Sequence, residues 1–115
     1  MVYRAAQLVR RVTAAVALLG LPEWRGATEV SPHRWPGAFY PVALLSQVAG
    51  ADQHVSPGPA RALHQVLAPH YAAAPERQAF VEHAGCDHFM PEPDWDRLWE
   101  ATLGWLLRYV QGVST

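Results

Sequence analysis

The spacing of hydrophobic positions changes along this chain, and the changes divide it into elements. Residues 2–11 place Tyr3, Ala6, Val9 and Arg10 at helical intervals, with Arg4 and Gln7 on the polar side, so 1–20 opens on a helix end. "TAAVALLG", 13–20, is apolar without interruption and closes on Gly20. A run this short and glycine-bounded predicts a strand buried on both faces. Residues 21–40 hold Pro22, Pro32 and Pro36 among Gly, Ser and charge, and read as loop. "PVALLSQVAG", 41–50, predicts a second buried strand, with Pro41 at its start where a lost N–H costs least. The polar loop after it completes a strand-and-acid-loop unit over 41–56.

Ser56 and Pro57 read as N-cap and first helical residue of a helix over 57–70. Its apolar stripe is Ala60, Leu63, Val66 and Leu67, with Arg61, His64 and Gln65 opposite. "QAFVEHA", 78–84, predicts a third strand, and "GCDHFMPEP" extends that unit as a loop to 93. Pro93 or Asp94 opens a last helix, 94–111, that stops at Gly112. Trp95, Leu98, Trp99, Thr102, Leu106 and Tyr109 line one side of it.

Strands alternating with helices predict an α/β fold with a parallel sheet of about three strands and flanking helices. The 115 residues allow one domain or part of one. Half the chain is hydrophobic and 17% is charged, enough for a modest core and too apolar for a disordered tail. A net charge of −1 gives no electrostatic footprint for nucleic acid. No apolar run reaches the roughly 18 residues that span a bilayer, so no membrane partner is expected. "MVYRAAQLVRRVTAAVALLGLPEW" imitates a signal peptide, but Pro22, Glu23 and Trp24 stand where a small-residue cleavage site belongs. The single cysteine, Cys86, excludes an internal disulfide and favours a reducing, cytoplasmic setting.

Candidate chemistry collects in two loops. In parallel sheets, ligands sit outside the carboxyl ends of the strands, and the loops leaving that edge here carry Asp52 and His88. An Asp that accepts the Nδ1–H of an imidazole fixes its tautomer and supports the imidazolium formed during proton transfer. His88 follows Asp52 by 36 positions, with one helix and one strand between. The segment "HAGCDHF", 83–89, also offers a Cys86–His88 nucleophile pair or a zinc site from His83, Cys86 and His88. The first has no evident acid or amide partner. The second lacks the paired spacing of structural zinc motifs, so no metal or cofactor is expected. Asp87 reads as solvated, and His54, His64 and His70 as loop or surface residues. His54 is the one to watch, two residues past Asp52 at the same edge.

"YPVALLSQVAGADQHVSP" resembles the penultimate strand and acid loop of an α/β-hydrolase. "FVEHAGCDHF" is similar to the family's last strand and histidine loop, "WDRLWEATLGWLLRYV" to its closing helix, and "RRVTAAVALLGLPEW" to the helix end and strand after the nucleophile. The likeness is nearest to the bacterial esterase and dienelactone-hydrolase-like branch, which shades into prolyl-oligopeptidase-type domains. It covers nearly the whole chain but only the C-terminal half of the family fold, and so implies an incomplete sheet. It implies Asp52 as the orienting acid, His88 as general base and a small ester-type substrate. It assigns no nucleophile. The four serines, Ser31, Ser46, Ser56 and Ser114, lack the flanking glycines of G-x-S-x-G, and the resemblance begins inside the helix that follows that motif. The chain alone is then expected to be inactive, with 13–20 as an open edge through which two copies pair. Trp24, His33, Trp35 and Phe39 in the 21–40 loop are candidates for an apolar acyl site. The alternative is a non-catalytic binding or assembly module built on the back half of the fold.

Overall fold

The computed structural model describes residues 2–8, 12–20, 22 and 31–110. Helix α1 spans Val2–Leu8 and strand β1 Ala14–Leu18. Short 3-10 turns at Pro32–Arg34 and Pro36–Ala38 lead to β2, Ala43–Ala49. Then come α2, Gly58–Leu67, and β3, Gln78–His83, joined through 3-10 turns at Ala68–Tyr71 and Pro75–Arg77. Helix α3, Glu92–Tyr109, follows. The three strands pair in parallel in the order β1-β2-β3, with Val16 opposite Leu45 and Leu45 opposite Ala79. This is an α/β fold with an open three-stranded sheet and helices on both sides.

Side chains alternate across a strand, and β2 shows the division. Leu44 packs with Tyr3, Ala6, Phe39, Leu63, Leu67 and Tyr71 in one core, on the side of α1 and α2. On the same side, the Tyr3 hydroxyl donates to Ser46 Oγ at 3.0 Å. The odd positions face α3. There Gln47 Nε2 donates to Leu98 O at 3.3 Å and to Thr102 Oγ1 at 2.9 Å, and Thr102 Oγ1 donates to Leu98 O. Because Nε2 is the donor, Gln47 Oε1 accepts, and it pairs with His83 Nε2 at 3.0 Å. A fully buried amide in a central strand needs such a set of partners. Together they fasten α3 to the middle and last strands.

All seven residues of β2 are buried, as a central strand requires. β1 is different: Ala15 and Ala17 are buried while Ala14, Val16 and Leu18 are half-buried. The expectation of burial on both faces is therefore corrected. β1 is an edge strand, and a groove of about 340 Å³ lined by Val2, Val12, Val16, Leu18 and Leu106 runs beside it. In α2, Ala60, Leu63 and Leu67 are buried but Val66 is 50% exposed, so the stripe is narrower than predicted. The helix also starts later than Ser56 suggests, with Pro57 at its N-cap. α3 starts two residues before Asp94, at Glu92, and ends at Tyr109 with an extended Val110 after it, short of the predicted 111; Gly112 lies outside the described residues. Of its predicted face, Leu98 and Thr102 are buried while Trp99 is exposed.

The amino end of β2 is closed by side chains. Tyr71 Oη donates to Val42 O at 2.6 Å, Arg77 Nη1 to Pro41 O at 3.2 Å, and Trp105 Nε1 to Ala43 O at 3.0 Å. Phe39 is fully buried and meets Tyr3 edge to face, which corrects its placement as a loop aromatic for a substrate. Trp35 is exposed, and Trp24 lies outside the described residues. Among the described residues no helix is long and apolar enough to cross a membrane.

Candidate active site

Both candidate loops leave the carboxyl edge of the sheet. After Ala49, Gly50 N donates to His83 O at 3.0 Å and Ala51 N to Cys86 O at 2.9 Å, so the first loop lies directly against the second. The approach leaves little room for a side chain at Gly50. A Cβ on Gly50 would stand 3.0 Å from Glu82 Oε2 and 3.4 Å from Ala84 Cα. After His83 the chain turns through Gly85 at φ 74°, a backbone state open to glycine at no steric penalty. Cys86 N donates back to His83 O at 3.3 Å.

Asp52 is held by its own loop. Its Oδ1 accepts from His54 N at 2.7 Å and Val55 N at 2.8 Å, an Asx-type turn. That aims Oδ2 at His88 Nδ1, 2.9 Å away. The Asp52 side chain is 1% exposed and that of His88 31%. Burial pushes the Asp52 carboxyl up. Donation from Val55 N, the His88 ring and His54 N, with the charge of His88, outweighs that and holds it below the ordinary carboxylate value. Nδ1 of His88 thus donates to the carboxylate, which leaves Nε2 as the nitrogen able to give or take a proton. Among the described residues Nε2 has no hydrogen-bond partner. The ring is flanked by His54 and Phe89, with centroids 5.8 and 5.4 Å away, and Phe89 is 75% exposed.

An imidazole oriented by a buried carboxylate, with its second nitrogen open, is equipped to take a proton from a hydroxyl and return it to a leaving group. The other sequence candidates take different positions. The Cys86 thiol is buried with Leu19, Ala49, Met90 and Leu98, an apolar shelf beneath the two loops. His83 is engaged by Gln47; burial, and then the charge of Arg97, lower its pKa. Among the described residues no group of three or more His, Cys, Asp or Glu is arranged to hold a metal ion. Ser31 is fully buried, Ser46 is bonded to Tyr3, Ser56 Oγ accepts from Gly58 N, and Ser114 lies outside the described residues. A larger cleft, about 540 Å³, opens at the amino end of β2 among Gln7, Thr13, Phe39, Tyr40 and Arg77. Neither cleft is lined by Asp52 or His88.

Asp87 stands at the solvent edge, as expected, and its carboxylate also joins the two loops. Its Oδ1 accepts from Gln53 N at 2.9 Å and His88 N at 2.7 Å. An Asp beside a loop histidine carries no sign of this in sequence, because the donor belongs to the other loop. Gln47 did carry a sign: a lone amide inside "VALLSQVA" demands partners once buried.

The sequence matches no family model and no curated protein. The fold is similar to the crystal structure of TT1662 from Thermus thermophilus, with a TM-score of 0.69 and 19% identity. The match covers 90% of this chain and 49% of that one, so this chain spans about half the length of its structural neighbour. At that identity the likeness establishes the α/β fold and nothing of the chemistry.

Proposed function

We propose that this chain supplies the orienting acid and the general base of a Ser–Asp–His carboxylic-ester hydrolase of the α/β-hydrolase type. The observation that carries the reading is the 2.9 Å contact between His88 Nδ1 and the buried Oδ2 of Asp52, each on a loop leaving a parallel strand. In the proposed reaction His88 Nε2 takes the proton of a serine hydroxyl as its oxygen attacks the ester carbonyl. The imidazolium, supported by Asp52, then protonates the departing alkoxide, and a water molecule repeats the sequence to release the acid. The serine and the oxyanion donors come from a segment outside this sequence. A cytoplasmic location belongs to the same reading and rests on the lone cysteine.

Hydrolysis of a short nitrophenyl ester tests it, measured for the chain alone and for the chain mixed with the polypeptide encoded just upstream. A G-x-S-x-G motif is expected within about 40 codons of Met1. The mixture is expected to turn over and the chain alone to stay near background. Asp52→Asn should lower turnover by about 10⁴-fold, as loss of the tautomer-fixing acid does in serine proteases, and His88→Ala should abolish it. Activity of the chain alone that survives His88→Ala would overturn the mechanism.

The open edge of β1 and the groove beside it favour a second reading, an assembly module whose partner completes the sheet. A monomer that stays single at high concentration counts against it.

A further inference from the structure

The Asp52 carboxylate is oriented within its own loop, by His54 N and Val55 N. The turn's own hydrogen bonds do not reach the backbone of His88. The Asp52–His88 distance depends on how the two loops are held together, and among the described residues three hydrogen bonds besides the pair's own cross between them. Two are backbone to backbone, Gly50 N to His83 O and Ala51 N to Cys86 O. They lie near the strand ends and form with any side chain that fits. The third, Gln53 N to Asp87 Oδ1, is the one nearest the pair and the one that depends on a side chain. The same Oδ1 accepts His88 N at 2.7 Å. One oxygen therefore joins the residue after the acid to the backbone of the histidine itself.

We propose that Asp87 is a positioning residue, whose Oδ1 clamps the acid loop to the histidine loop and so sets the Asp52–His88 contact. Its work is that of an acceptor and not of a charge, because both partners are backbone N–H groups. An asparagine keeps that oxygen; an alanine removes it. The inference rests on reading Asp52 and His88 as a functional pair. A side chain at 87 that cannot accept leaves two loops tied only at their roots, with the imidazole free to swing from the carboxylate.

The test is the ring Nδ1–H signal of His88 in ¹⁵N-histidine-labelled protein, observed by cold ¹H–¹⁵N correlation NMR. The signal is assigned by its loss in His88→Gln, and the fold of each variant is checked by circular dichroism. The wild type is expected to show a solvent-protected Nδ1–H. Asp87→Asn is expected to keep it, and Asp87→Ala to lose it while still folded. A folded Asp87→Ala that retains the protected proton overturns the clamp and leaves the Asp52–His88 pair standing. A wild type without that proton overturns the pair itself and the clamp with it. If Asp87→Ala fails to fold, Asp87→Asn decides: retention of the signal upholds the acceptor role, and its loss overturns it.

Discussion

At the scale of single residues, the candidate site separates what a loop residue shows in sequence from what it hides. Asp52 and His88 were legible because each follows a strand, and parallel strands deliver their loops to one edge. The bridging role of Asp87 was not legible, because its distant donor, Gln53 N, becomes a neighbour only once β2 and β3 pair. Phe39 misled for the opposite reason: a loop aromatic can fold under the sheet as readily as over it. Two glycines make a matched prediction. Gly85 has φ 74°, so Gly85→Ala is expected to lower stability by about 1–2 kcal/mol, the steric cost of a left-handed residue. Gly104 sits exposed within α3, where an added Cβ meets nothing within 4 Å. Gly104→Ala is expected to raise stability by about 0.5–1 kcal/mol. Urea unfolding of the two variants beside the parent checks both signs.

At the scale of elements, the strands were read more securely than the helix faces. A continuous apolar run defines a central strand, and β2 matches it. A stripe on a helix names candidates for burial but not how wide its groove is, so Val66 and Trp99 stand partly in solvent. The attachment of α3 through Gln47 has a consequence for pH. His83, at the end of that network, and His64, beside Gln78, both have pKa values lowered by burial, with Arg97 adding to the effect at His83. A histidine whose folded pKa lies below its unfolded value, about 6.5, binds fewer protons folded than unfolded. Its contribution is complete above the unfolded value and is lost as pH falls through the folded one. Melting temperature is therefore expected to fall between pH 7.5 and 5.5, and the His64→Gln/His83→Gln double variant to fall less. A double variant as pH-sensitive as the parent would count against this account.

At the scale of the whole molecule, the sheet is open at β1. Among the described residues its hydrogen-bonding groups are paired on one side, and its half-buried residues border an apolar groove. Such an edge is a template for another chain, and a small domain with part of its sheet uncovered has little stability in reserve. The chain is expected to be weakly stable as a monomer or to form dimers through β1, with a melting temperature that rises with concentration. Val16→Lys, which sets a charge on that face, is expected to reduce the dimer in light scattering after size exclusion. A sharp, concentration-independent melt at high temperature would contradict this.

The carbonyls that open the central strand have a further meaning. Pro41, Val42 and Ala43 each give their oxygen to a side chain, from Arg77, Tyr71 and Trp105. At the opposite end, Gly50 and Ala51 are tied by main-chain bonds. One end of the sheet thus depends on residue identity and the other chiefly on backbone path. Apart from the constraints at Gly50, Gly85 and Asp87, the side chains of these two loops take no part in the main-chain bonds that tie them at the strand ends.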